Sequence, residues 1–202
     1  MGGKLGTIFA RAGHEVVFSY AKTKGKLERL AKEAGGKAKA GTVAEAAQGS
    51  DALLLAVHWS RVDEVLEQAG DLPGKVILTC SLPMDAANSR LVLGLTTSGA
   101  EELAKKAPKA KVVGAFNTIP SEVLFGVFEA KAKSPRPSLV YCGDDAGAKK
   151  TAAKLISDIG FEPFDLGGLK AARYTEPFAL MVAEIAYGGD KGPEMAYRFE
   201  WF

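Results

Sequence analysis

Cysteine, histidine and long apolar runs are all scarce in this 202-residue chain, and each scarcity removes a class of function. Two cysteines, Cys80 and Cys142, each sit inside an apolar run, which favours buried free thiols over a disulfide framework or a metal site. There is no Ser-His-Asp set, no cluster with metal-ligand spacing and no phosphate loop of the Walker type. No apolar stretch approaches the roughly 18 residues of a membrane helix, and the N-terminus lacks the apolar core of a signal peptide. A cytoplasmic protein without membrane contact is expected. The 26 basic and 24 acidic residues leave a net charge of +2, so nothing pulls the chain generally toward nucleic acid. What remains, 47% hydrophobic and 25% charged, is an ordinary globular composition with enough chain for one substantial core.

Helical periodicity and short apolar runs alternate without a break. Ile8, Phe9 and Ala12 mark the inner face of a first helix that Gly13 stops, and Glu15 to Tyr20 reads as a strand. A helix over Lys24 to Ala34 follows, then one near Val43 to Ala47. "DALLLAV" is a strand of the kind covered on both faces, and "GKVILTCS", "AKVVGAF" and "PSLVYCG" are further strands. Amphipathic or helical segments at Arg61 to Ala69, Glu101 to Lys106 and Asp145 to Gly160 separate them. Such alternation specifies an α/β protein with a doubly wound parallel sheet. Its ligand is then expected at the carboxyl ends of the strands.

Four strand ends carry polar residues or proline-terminated turns. After the strand ending near Tyr20 come Lys22, Thr23, Lys24 and Lys26, with no carboxylate before Glu28. An NAD-selective site needs an acid there to accept from the ribose hydroxyl, whereas a 2′-phosphate needs cations and hydroxyls, so the segment points to NADP. The same lysines would also serve as a solvated helix start. His58 and Trp59 follow the "ALLLAV" strand, Ser81 to Pro83 follow "VILTC", and Asn117 to Pro120 follow "KVVGAF".

The opening "MGGKLGTIFARAGHEV" reads as a dinucleotide fold entered late. Such folds begin with a strand and G-x-G-x-x-G, whose third glycine packs the first helix against the sheet. Gly2 suits that third position, with Gly3 beside it. The expectation is a Rossmann-like fold in which the first strand and the first two glycines are absent and Met1 is an internal start.

From Gly2 to about Glu184 the chain resembles the NADPH-dependent coenzyme F420 reductases, whose relatives include the cytosolic domains of six-transmembrane metalloreductases. The stretches that carry the resemblance are "GGKLGTIFARAGHEVVFSY", "DALLLAVHWSRVDEVL", "VVGAFNTIPSEVL", "YCGDDAGAKKTAAKLISDIGF" and "ARYTEPFALMVAEIAY". The resemblance implies that Lys22 and Lys26, helped by Thr23, hold the 2′-phosphate. It implies that Val57, His58 and Trp59 lie along the cofactor, although many relatives have proline where His58 stands. It places Ala115, Phe116, Asn117 and Thr118 beside the nicotinamide. By position, Ser81, Leu82 and Pro83 would wall the pocket of the second substrate, with His58 and Asn117 as further candidates to line it.

The functional expectation is an NADPH-dependent oxidoreductase that passes hydride to or from a deazaflavin such as coenzyme F420, or a flavin-like acceptor. No residue is assigned as general acid or base, because two bound redox rings carry that chemistry themselves. The alternatives are a non-catalytic dinucleotide-binding protein and a reductase of a small imine or ketone. Residues 1–165 form the expected Rossmann NADP-binding domain, and 166–202 a helical segment. There Phe178, Met181, Val182 and Ile185 make an apolar face that covers either the chain's own sheet or a second subunit. Glu176-Pro177 could face the substrate, but a helix start is the simpler account of the pair.

Overall fold

Period-two alternation in the central strands divides the interior into two layers. The computed structural model describes every residue from Met1 to Phe202 except Lys24. One sheet holds β3 (Ala52–Leu55), β4 (Val76–Thr79), β5 (Lys111–Ala115), β6 (Ser138–Gly143) and β7 (Glu162–Asp165), side by side in that order. Leu78, Val113, Leu139 and Tyr141 point to one face, against Leu5, Ile8 and Phe9 of α1 (Gly2–Arg11) and Ile156 of α7 (Ala146–Asp158). Their neighbours Ile77, Val112 and Cys142 point to the other. There they meet Val43 and Ala47 of α3 (Val43–Gly49), Val62 of α4 (Val62–Ala69) and Leu103 of α5 (Gly99–Lys106). Helices thus cover both faces of a mainly parallel sheet, the doubly wound Rossmann-like α/β fold.

The sheet departs from the all-parallel expectation at β6. Ala115 of β5 stands opposite Tyr141 of β6, and Val113 opposite Gly143, in antiparallel register. The connection between these strands carries only the six-residue α6 (Leu124–Glu129) and delivers the chain back at the carboxyl end of β5, so β6 must run the other way. A full crossover by α7 then makes β7 parallel to β6.

The N-terminal quarter also differs in detail. The strand expected over Glu15 to Tyr20 contracts to β1 (Val17–Phe18), which pairs in parallel with β2 (Lys39–Ala40) as a separate two-stranded sheet. Tyr20, at a φ of 58°, turns the chain out of extended geometry. α2 covers Lys26–Ala34, while the expected earlier start at Lys24 lies outside the described residues. Because β4 is the one strand paired with β3 among the described residues, Ala52, Leu53 and Leu54 are half-buried and not covered on both faces. Among the described residues no strand pairing joins the two sheets; α1 spans them instead. A Cβ on Gly6 would stand 2.4 Å from Phe18 Cε1, and one on Gly2 3.0 Å from Ala56 Cβ.

At the other end, α8 (Ala172–Gly188) turns Ala172, Thr175, Glu176, Ala179, Val182 and Ala186 inward. Of its expected apolar face, Val182 is buried and the Phe178 ring meets that of Tyr197 at 5.1 Å, whereas Met181 and Ile185 are 51% and 55% exposed. Glu176-Pro177 lies inside the helix, since a 3₁₀ turn at Leu169–Ala171 already leads into it. The aromatic tail folds back on the sheet: the Ser138 amide donates to the Tyr197 carbonyl at 2.8 Å, and the Phe199 amide to Ser138 Oγ at 2.9 Å. Among the described residues no helix is long and apolar enough to cross a membrane.

The closeness of α1 to β1 is testable. Gly6→Ala drives a Cβ into the Phe18 ring and should cost about 1–3 kcal/mol, seen as a lower melting temperature. Gly49→Ala, whose added Cβ meets nothing within 4 Å, should leave the melt nearly unchanged.

Candidate functional site

Parallel strands β3, β4 and β5 end on one edge, and the residues singled out from the sequence gather along it. α1 begins there, because the approach of Gly2 to Ala56 sets its N-terminus beside the last turn of chain after β3. Its first amides point outward and favour an anion. Gly3, by contrast, faces α2, where a Cβ would come 3.1 Å from Leu30 Cδ2. Beyond β1, Lys22, Thr23 and Lys26 are exposed, and Lys24 is not among the described residues. Beside them the Tyr20 hydroxyl is buried without a partner; burial and the nearby Glu64 carboxylate hold this phenol above its usual range.

After β3, His58 has both ring nitrogens engaged by protein. Nδ1 accepts from the Ser60 amide at 3.2 Å, which leaves the proton on Nε2, 3.2 Å from the Asp85 carbonyl. His58 therefore caps the 3₁₀ turn Trp59–Arg61 and ties it to the loop after β4. That loop folds as a flap: Met84 bridges Leu91, and the Val92 amide donates to the Pro83 carbonyl at 2.7 Å. Asp85 accepts from the Ser89 amide at 2.8 Å, and its contacts with Ser89 and Arg90 hold its carboxyl below the ordinary range. Ser81 is buried and donates to the Val57 carbonyl at 2.7 Å, stapling one strand end to the next.

After β5 the placements divide. Asn117 is half-buried at the edge. Ala115 and Thr118 are fully buried, and the Thr118 hydroxyl lies 2.7 Å from the Tyr197 hydroxyl, so neither side chain opens toward a ligand. Phe116 is likewise fully buried, with a φ of 67°. All non-glycine residues with positive φ among those described, Tyr20, Asn88, Leu95 and Phe116, lie in loops following β1, β4 or β5. Each such backbone costs on the order of 1–3 kcal/mol and persists where surroundings hold it, as at binding sites. Two hollows lie away from this edge, one beside Leu66, Leu72 and Pro108, another beside Val123, Val127 and Pro135.

Two carboxylates stand at this edge: Glu122, to which the sequence assigned no role, and Glu176, which it offered as a helix start. Glu122 receives the Tyr187 hydroxyl at 2.7 Å and the Lys4 ammonium at 3.4 Å, linking α8, the turn after β5 and α1. Burial opposes its charge, yet Tyr187, Ser121 and Lys4 keep its carboxyl below the usual range. Glu176 is 1% exposed and accepts from the Gly99 and Ala100 amides at 2.9 and 3.0 Å. In sequence its Glu-Pro pair suggested a helix start more simply than a place at the substrate, and nothing local announced its partners at Gly99 and Ala100. Among the described residues no group of three His, Cys, Asp or Glu side chains could hold a metal ion.

Residues 1–83 match the model of the coenzyme F420-dependent NADP oxidoreductases. The likeness to this family is thus carried by the N-terminal 83 of the 202 residues. The match covers Gly2, the lysine segment, His58, Trp59 and Ser81–Pro83, and stops where the flap begins. Rat (Rattus norvegicus) metalloreductase STEAP3 is 30% identical over 136 residues, 67% of this chain; the chain spans about a quarter (26%) of that protein's length. A crystal structure ascribed to an F420-dependent NADP reductase of Arthrobacter sp. FB24 superposes with a TM-score of 0.85 at 23% identity, covering 99% of this chain and 95% of that one. An imine reductase of Aspergillus terreus, solved with NADPH4 and dibenz[c,e]azepine, shares the fold at a TM-score of 0.66 and 18% identity, over 93% of this chain and 58% of that one.

If His58 anchors the flap, His58→Ala frees it. Trypsin should then cut at Arg90, whose side chain is 80% exposed, several-fold faster with little change in melting temperature.

Proposed function

We propose that this chain is a member of the coenzyme F420-dependent NADP oxidoreductases, that it binds NADP(H) along the carboxyl edge, and that it transfers hydride between it and a deazaflavin of the coenzyme F420 type, or a flavin-like acceptor. The observation that carries this reading is the gathering of Tyr20, Asn88, Leu95 and Phe116, the positive-φ non-glycine residues among those described, into the edge loops, beside an exposed Lys22 and Lys26 with no acid before Glu28. The residues present suit such a cofactor. Gly2 lets α1 start close against Ala56, which sets its first amides at the edge where a pyrophosphate would lie, and Lys22, Thr23 and Lys26 offer two cations and a hydroxyl to a 2′-phosphate. When bound, the nicotinamide supplies the hydride chemistry. The chain's own part is placement: Ser81 and His58 lock the strand ends, Asn117 offers an amide at the edge, and Pro83 walls the acceptor side. The engaged nitrogens of His58 make it a structural anchor in this scheme.

Two further assignments belong to the same reading. Residues 1–165 form the cofactor-binding domain, and 166–202 cover its sheet. Tyr174, Met181 and Ile185, 68%, 51% and 55% exposed on one side of α8, form the face for a second copy. Reduction of a small imine or ketone is the competing activity, favoured by the likeness of fold to an imine reductase. Turnover of NADPH with a deazaflavin, free flavins and small carbonyls or imines separates these acceptors, and NADPH binding without turnover on any of them would leave a binding protein.

NADPH should be preferred to NADH. Each charge-assisted phosphate contact is worth about 1.5–3 kcal/mol, so Lys22→Glu should cut the preference by roughly tenfold or more in titrations of both nucleotides. Asn117→Ala should lower kcat more than it lowers the melting temperature; unchanged kinetics would return Asn117 to a turn-forming role.

A further inference from the structure

Glu176 is the one carboxylate among the described residues that is fully buried, and the scheme above leaves it unused. It projects from α8 onto the start of α5, 77 residues away in sequence, and its two oxygens take the Gly99 and Ala100 amides. Ser98 Oγ takes the Glu101 amide at 3.1 Å, which completes the cap of α5. The same corner touches the acceptor wall. A Cβ on Gly99 would lie 3.0 Å from Pro83 Cδ and 3.3 Å from Glu176 Oε1, so carboxyl, helix start and proline are packed in series.

We propose that Glu176 is a positioning residue for the acceptor side of the site: it holds α5 against Pro83, and this hold is tight when the carboxyl is ionised and loose when it is protonated. The inference rests on the strand-end reading above. A carboxylate accepts from both amides at once, whereas a neutral acid keeps a proton on one oxygen and gives up one of the two bonds. The proline wall then loses part of its backing.

The surroundings permit this titration. From α5, Glu101 faces the group, but its own charge is taken by Arg173 of α8 through Nε at 2.8 Å and Nη2 at 2.7 Å. From β6 comes Cys142, whose thiol burial pushes up to about 12 and which therefore stays neutral. Burial, against the pull of the two amides and with the help of Glu101, raises the Glu176 carboxyl to about 7. Folding thus favours the protonated form. Its contribution to stability is full below the ordinary carboxylate range and is lost as pH rises through about 7. The wall is therefore best fixed where the fold gains least from this group.

The test follows backbone amide NMR shifts and steady-state kinetics of the whole chain from about pH 5.5 to 8.5, in wild type and in Glu176→Gln. The expected result is a shared midpoint near neutrality for Leu82, Met84, Gly99 and Ala100 that disappears in the glutamine variant. With it, the acceptor KM should rise about threefold or more from alkaline to acid pH in wild type alone, while NADPH affinity stays level. Gly99→Ala, whose Cβ would crowd Pro83 Cδ at 3.0 Å and Glu176 Oε1 at 3.3 Å while leaving the carboxyl able to titrate, should raise the acceptor KM at every pH. It carries the test if Glu176→Gln fails to fold. A midpoint that survives in Glu176→Gln overturns the proposal, as does titration confined to Gly99 and Ala100 with a flat acceptor KM. Absence of NADPH-dependent turnover at every pH overturns the strand-end reading itself, and this role with it.

Discussion

Burial of both faces of β4 and β5 is the constraint on which the rest of this structure depends. A strand with apolar side chains on both sides must be covered by helices on both sides, and parallel neighbours must be reached by crossovers. Ile77 and Val112 recruit α3, α4 and α5, while Leu78 and Val113 recruit α1 and α7. Every crossover leaves β3, β4 and β5 ending on one edge. The edge that carries the candidate site is thus a consequence of packing, and its loops are free of the core's demand for regular structure.

Those loops are nevertheless held firmly. His58 anchors the flap, Ser81 staples two strand ends, and Glu176 caps the helix that follows the flap. Their partners are mainly backbone groups, so these side chains substitute for the strand pairing that stops at the edge. Strained residues such as Tyr20 and Phe116 persist within this framework because neighbouring contacts over-determine them. A preformed edge of this kind spends little ordering entropy when a ligand arrives.

The C-terminal segment performs two tasks with one helix. Its small and polar residues, from Ala172 to Ala186, pack inward and reach α5, while Tyr174, Met181 and Ile185 remain outside. Tyr187 and the tail residue Tyr197 then return to the carboxyl edge, at Glu122 and Thr118. The edge is closed from behind by residues that lie last in the chain.

Local pattern alone determined the alternation of strands and helices, the doubly wound class, the helix stops at glycine and the lysine-rich strand end, because each depends on periodicity or on a single residue's backbone freedom. Tertiary structure decided what depends on partners distant in sequence. The direction of β6 was set by where the 116–137 connection delivers the chain, and the shortness of β1 and the half-exposure of β3 by the absence of a neighbour on one side. Thr118 and Ala115 read as edge residues in sequence, but packing against the tail and α1 buried them. Glu176 read as a helix start, yet its meaning comes from Gly99 and Ala100, 77 and 76 residues away. Burial and hydrogen bonding across such distances leave no local signature in a sequence, since the two halves of each contact obey separate periodicities.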